Sequence, residues 1–126
     1  MKSLILVLLL SSPALGDYPT EPEWQNANYA KYVKDMDHVE VRLWDESRCD
    51  YVSETHAIEI DWATSKVYEA IGQAVYYGIV LEKKPGIILL VKEGEHRKSL
   101  KYVYRCQTVC AKLDIKLWIE IVKEIP

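Results

Sequence analysis

The sequence has no surplus of positive charge. Sixteen Lys and Arg face 19 Asp and Glu, a net charge of −3 over 126 residues. That balance argues against tight, charge-driven binding to a nucleic-acid backbone, unless through a local basic patch. Cysteine is scarce: Cys49, Cys106 and Cys110 form neither a CxxC pair nor a Cys/His spacing, so no zinc module is expected. His38, His56 and His96 are scattered and share no ligand spacing. No apolar run approaches the roughly 20 residues a bilayer span needs. There is no P-loop, no glycine-rich dinucleotide loop and no Ser-His-Asp order. Internal repeats and low-complexity segments are absent too.

What is present starts with the pattern of an export signal. Lys2 supplies a positive start, Leu4 to Leu10 is unbroken apolar sequence, Ser11, Ser12 and Pro13 break it, and Ala14-Leu15-Gly16 is a small-x-small cleavage site. Residues 1–16 are therefore expected to be removed, leaving 17–126 as one exported domain, periplasmic or secreted. Losing Lys2, with no acid in that segment, takes the net charge from −3 to −4. In an oxidising compartment an odd number of cysteines leaves one spare.

The rest reads as alternating elements. Residues 17–23 are polar and proline-rich, a flexible lead-in, and 23–35 look helical. Val39 to Trp44 alternates with period two, Asp45-Glu46-Ser47 is a turn, and Arg48 to Val52 and Thr55 to Asp61 are further strands. Regular alternation puts Asp50 and Arg48 on one face of the second strand and Cys49 and Tyr51 on the other. Short turns predict an antiparallel three-strand meander. A helix follows over about 65–83, with Ser65 as N-cap and Val67, Ala70, Ile71, Ala74 and Gly78 inward. Pro85-Gly86 is punctuation. Ile87 to Val91 is a strand buried on both faces. A helix over 95–112 buries Val103, Cys106, Cys110 and Leu113, and 115–122 is a last strand. The fold class is α/β (α+β): a mixed central sheet with helices on both faces, in the order αβββαβαβ. With Asp50 facing one way, Cys49 should face the core under the 95–112 helix. That makes it the candidate disulfide partner of Cys106 or Cys110; the alternative is three thiols that never meet.

One stretch calls for chemistry. Glu59 and Asp61 end a strand, and Lys66, Glu69, Gln73 and Tyr77 then share one face of the next helix. Asp50 and Glu59 sit on neighbouring strands, and two such carboxylates, completed by water and a substrate phosphate, suit Mg²⁺ or Mn²⁺. The bland alternative is a solvated sheet face, with the acids paired to Arg42 or Arg48.

Asp50, the Glu59-x-Asp61 strand end and Gln73-x-x-x-Tyr77 on the following helix resemble the PD-(D/E)XK nuclease superfamily, most closely its RecB-like branch, over roughly residues 24–92. The resemblance implies a restriction-endonuclease-like fold and a metal-dependent nuclease that hydrolyses DNA. It makes Asp50 and Glu59 metal ligands and lines the site with Gln73 and Tyr77. The departure is at Asp61, where the family places Lys. Either Lys66 supplies that cation from the helix, or Asp61 is a third metal ligand, or the site is silent and the fold serves as a binding module for protein or nucleic acid. The basic stripe of Arg97, Lys101 and Arg105 is either phosphate-facing or an ordinary solvated helix face.

Overall fold

The computed structural model describes residues 17–126; the expected export signal, 1–16, lies outside the described residues. Three α-helices, two short 3₁₀ turns and five strands follow in the order α1 (Glu21–Asn28), β1 (Val39–Arg42), β2 (Arg48–Val52), β3 (His56–Trp62), α2 (Val67–Leu81), β4 (Lys84–Lys92), α3 (His96–Leu113) and β5 (Lys116–Val122). The strands form one mixed sheet in chain order. β1, β2 and β3 are antiparallel, while β3, β4 and β5 run parallel through the two helical crossovers.

β4 is the centre. Ile87, Ile88, Leu89, Leu90 and Val91 are all buried, as a continuous apolar run between two neighbours requires. Its side chains alternate between two cores. Ile87, Leu89 and Val91 meet Val67, Ile71 and Ala74 of α2 and Cys106 and Cys110 of α3. Ile88 and Leu90 meet Trp24 of α1, Tyr51, Ile58 and Ile60. Both long helices therefore lie side by side on one face, and α1 covers the other. The expectation that the 95–112 helix covers the face opposite α2 is wrong. Leu113, expected inward, is about half exposed at the end of α3.

Element ends differ where capping chemistry was overlooked. α1 begins at Glu21, not 23, and it ends at Asn28, passing into a 3₁₀ turn at Tyr29–Lys31. Thr20 accepts from the Glu23 amide while the Glu23 carboxylate accepts from the Thr20 amide, a capping box with Pro22 in the first turn. The lead-in expected to be flexible is tied down: Asp17 bridges Ile125, and the Tyr18 hydroxyl donates to the Glu93 carbonyl at 2.6 Å. α2 starts with Lys66, not Ser65, at its N-cap, and Thr64 Oγ1 accepts the Lys66 amide at 3.2 Å. Pro85 and Gly86 are not a turn; they lie within β4. Glycine is needed at 86, because a Cβ there would stand 2.9 Å from the Trp118 ring.

Candidate functional site

The meander is irregular at Asp50. β2 and β3 pair at Tyr51–Ile58 and Val52–Ala57 and no further. At the next position Asp50 Oδ2 accepts the Ile60 amide at 2.7 Å, so a side chain fills the place of a ladder carbonyl. The alternation read from the sequence breaks there. Tyr51 joins the core under α1, whereas Cys49, two residues earlier, packs with Leu43, Val52, Ala57 and Tyr77.

That irregularity brings Asp50 to Glu59. Glu59 is buried and Asp50 half-buried, and the two are close enough for the charge of Asp50 to act on Glu59. Burial raises both proton affinities, and the neighbouring negative charge raises that of Glu59 further. The Ile60 amide stabilises the Asp50 anion and opposes its rise, which leaves Glu59 the more strongly raised of the two. Neither acid forms an ion pair with Arg42 or Arg48; the Arg48 guanidinium lies 3.4 Å from Glu40 instead. The solvated ion-pair alternative is therefore not what the acids do.

Asp61, at the end of the same strand, is partly buried, and its Oδ1 accepts the Trp62 amide at 2.9 Å. Burial raises its pKa, Glu69 adds to the rise and Lys66 opposes it. A fourth acid joins from α1. The Glu21 carboxyl is pushed up to about 7 by burial and then by the charges of Asp50 and Asp61. Glu21 Oε2 and Glu59 Oε1 are buried without a hydrogen-bond partner. Glu21 lies in the segment expected to be a flexible lead-in; Thr20 and Glu23, the two halves of the capping box around Pro22, are the sequence signal that places it on a helix. One turn on, Gln25 is buried and donates from Nε2 to the Asp50 carbonyl at 3.1 Å, while its own carbonyl accepts the Tyr51 hydroxyl at 2.5 Å. These two bonds fix α1 over β2 and aim Glu21, on the same helical face, at the acids.

The helical stripe read from the sequence runs from solvent into the core. Lys66 and Glu69 are exposed, Gln73 is half-buried and Tyr77 is buried. Tyr77 is felt by Glu59 and Asp50, and its hydroxyl is pushed up to about 12, first by burial and then by those charges. Gln73 makes no side-chain hydrogen bond among the described residues, so nothing ties it to the acids. Lys66 makes no ion pair there either, and Asp61 is the acid whose charge it offsets.

Among the described residues no group of three or more His, Cys, Asp or Glu stands ready to hold a metal ion. The donor set that does meet is a pair, Asp50 and Glu59, with Glu21 and Asp61 flanking. Hard cations such as Mg²⁺ take one or two carboxylates and complete their shell with water and phosphate, so the pair, with Glu59 Oε1 left without a partner, fits such an ion. Two concavities lie elsewhere: a groove of about 700 Å³ between the 30–34 segment and the start of β3, and a cleft of about 180 Å³ beside Trp62. No helix among the described residues is long and apolar enough to cross a membrane.

The three cysteines are free and buried. Cys106 and Cys110 face each other with sulfurs 3.8 Å apart, while Cys49 packs in a separate cluster against Tyr77. The expected pairing of Cys49 with either is not formed. Burial holds the Cys49 thiol up at about 12.

No family model, curated protein or solved structure matches the chain.

Proposed function

We propose that this chain is an exported, metal-dependent nuclease-like protein that hydrolyses DNA phosphodiester bonds at the Asp50–Glu59 pair, in the manner its resemblance to the RecB-like nucleases implies. The observation that carries the reading is the buried Asp50–Glu59 pair, which also feels the charges of Glu21 and Asp61, with Glu59 Oε1 and Glu21 Oε2 buried and without partners. Acids crowd in this way at a cost in self-repulsion, and a divalent cation removes that cost. Asp50 and Glu59 would hold Mg²⁺ or Mn²⁺, with water and a substrate phosphate completing the shell. Such an ion supplies an activated water and offsets charge on the phosphate.

The remaining chemistry belongs to the chain. Gln25 and the Ile60 amide hold Asp50 in place. Tyr77 is protonated at neutral pH and closes the inner wall. Lys66 is free to swing from the mouth of α2 towards a bound phosphate, replacing the cation that Asp61 displaces from the strand. Mg²⁺- or Mn²⁺-dependent cleavage of plasmid and single-stranded DNA by the purified protein tests the proposal. Cleavage should vanish in Asp50→Asn and Glu59→Gln.

A second reading is a silent nuclease-like fold used as a binding module. It is favoured by the exposure of Lys66 and its distance from any ion pair with Asp50 or Glu59. Absence of cleavage together with retained binding of a DNA or protein ligand would select it.

A further inference from the structure

The groove of about 700 Å³ shares no residue with the acids. It lies on the α1 side of the sheet, between the segment around Tyr32 and the first residues of β3 and β5. His56 marks its place on β3, three residues before Glu59 and on the opposite face of that strand, so about 10 Å of strand separates the two.

Its floor is aromatic. Trp118 is half-buried and meets Tyr32 edge-on at 5.4 Å and His56 edge-on at 5.8 Å between ring centroids. Gly86 lets the indole close onto the sheet. Its rim is cationic. Lys34 lines the groove, Lys116 holds its ammonium 5.7 Å from the Trp118 centroid, and Lys84 pairs in register with His56. All three are exposed, and none forms an ion pair among the described residues. Lys31, by contrast, is spent on Glu120, which also takes the Tyr32 hydroxyl. The field of Lys84 and Lys116 reaches the groove: after burial, those two charges hold His56 below its ordinary pKa. In a chain of net charge −3, three unpaired cations beside half-buried aromatic rings form a local positive patch that Glu54, the acid lining the groove, offsets only in part.

We propose that this groove binds single-stranded nucleic acid, a base stacking against Trp118 and the backbone phosphates lying on Lys34, Lys84 and Lys116. A flat aromatic with flanking cations is the chemistry that recognises a base and its phosphates without regard to sequence. Lys34 lines the groove, while Lys84 on β4 and Lys116 on β5 stand beside His56 and Trp118 of its wall. Several cations on separate segments suit the repeating charge of a strand better than one phosphate. The site works whether or not the acids hydrolyse anything.

The test uses fluorescence anisotropy of a labelled oligothymidylate with the full protein in EDTA, so that cleavage plays no part. Saturable binding is expected. Lys34→Glu and Lys116→Glu should each weaken it and lower the slope of log affinity against log salt by about 0.7 per contact. Trp118→Ala should weaken binding about 5- to 100-fold, with Trp118→Tyr recovering most of it. Because Trp118 also packs on the core, the exposed lysines form the independent arm. Asp50→Asn/Glu59→Gln should bind as the natural protein does. Three outcomes would overturn the proposal: no saturable binding, affinity indifferent to both lysine substitutions, or binding lost with the acids. Binding of thymidine monophosphate as tightly as the oligonucleotide would also overturn it, since the strand would then add nothing.

Discussion

The Asp50 carboxylate accepts the Ile60 amide at 2.7 Å where a strand would present a carbonyl. One side chain thereby breaks the β2–β3 ladder, turns Asp50 towards Glu59 and separates Cys49 from the core that holds Tyr51. Beyond Tyr51–Ile58 the two strands are thus joined through a side chain and not through their backbones.

The acid cluster makes stability depend on pH in an unusual direction. Glu21 is raised to about 7, and Asp50 and Glu59 are both raised by burial, Glu59 further by the Asp50 charge. An acid with a raised folded pKa binds its proton more tightly when folded. Its stabilising contribution is complete below the unfolded carboxylate pKa of about 4 and is lost as pH rises through the folded value. In EDTA the protein should melt at a higher temperature near pH 5 than near pH 8, by at least about 4 °C, the shift about 1 kcal/mol produces at this size. Glu59→Gln should flatten the profile. A melting temperature that rises from pH 5 to pH 8 would show that the acids are not crowded.

A divalent cation should reverse that loss. At pH 8, millimolar Mg²⁺ or Mn²⁺ is expected to raise the melting temperature, because binding to the folded state stabilises by mass action. Asp50→Asn and Glu59→Gln should remove the rise, and Glu21→Gln should reduce it. Calorimetric titration reads the same effect without enzymatic activity. A rise that survives in both Asp50 and Glu59 variants would place the ion elsewhere.

Lys66 separates the enzyme from the binding module. It is exposed and forms no ion pair among the described residues, so Lys66→Ala should leave the melting temperature within about 1 °C, as surface changes do. If it supplies the phosphate-facing cation, cleavage should fall about 100-fold, the scale of a lost electrostatic contact in a reacting site. Unchanged cleavage would remove Lys66 from the site.

The thiols carry a simpler expectation. All three are buried and unpaired, and Cys49 is held as a thiol with its pKa near 12. A maleimide should label none of them quickly in the folded protein and all three after unfolding without reductant. Fewer than three would indicate a bridge, with the facing Cys106 and Cys110 the pair to examine by mass spectrometry.

Where periodicity governed, the sequence was readable. β2 ends where the pattern places it, the apolar run of β4 is buried on both faces, and Val67, Ala70, Ile71, Ala74 and Gly78 all turn inward. Asp50, Glu59 and Asp61 were legible as acids on adjoining strands. What escaped depended on side chains acting as backbone. Asp50 substitutes for a ladder carbonyl and so breaks the alternation from which Cys49 was placed. Thr20 and Glu23 cap α1 and so convert an apparent linker into the carrier of Glu21. Which face α3 covers follows from the handedness of two successive crossovers, a property of connections that no single residue announces.

The last prediction concerns how α1 is held. Gln25 is buried at 2 % exposure and spans two elements: its Nε2 donates to the Asp50 carbonyl, and its carbonyl accepts the Tyr51 hydroxyl. Gln25→Leu keeps the volume but leaves the Asp50 carbonyl without that donor. An orphaned buried polar group costs about 1–3 kcal/mol, so the melting temperature should fall clearly. Tyr51→Phe is the control, removing only the bond to the Gln25 carbonyl. If Gln25 also positions Glu21, Gln25→Leu should weaken the Mg²⁺-induced rise in melting temperature as strongly as Glu21→Gln does, whereas Tyr51→Phe should leave more of it intact. Equal stability loss in Gln25→Leu and Tyr51→Phe, with an undiminished metal response in both, would make Gln25 a fastener of the helix and nothing more.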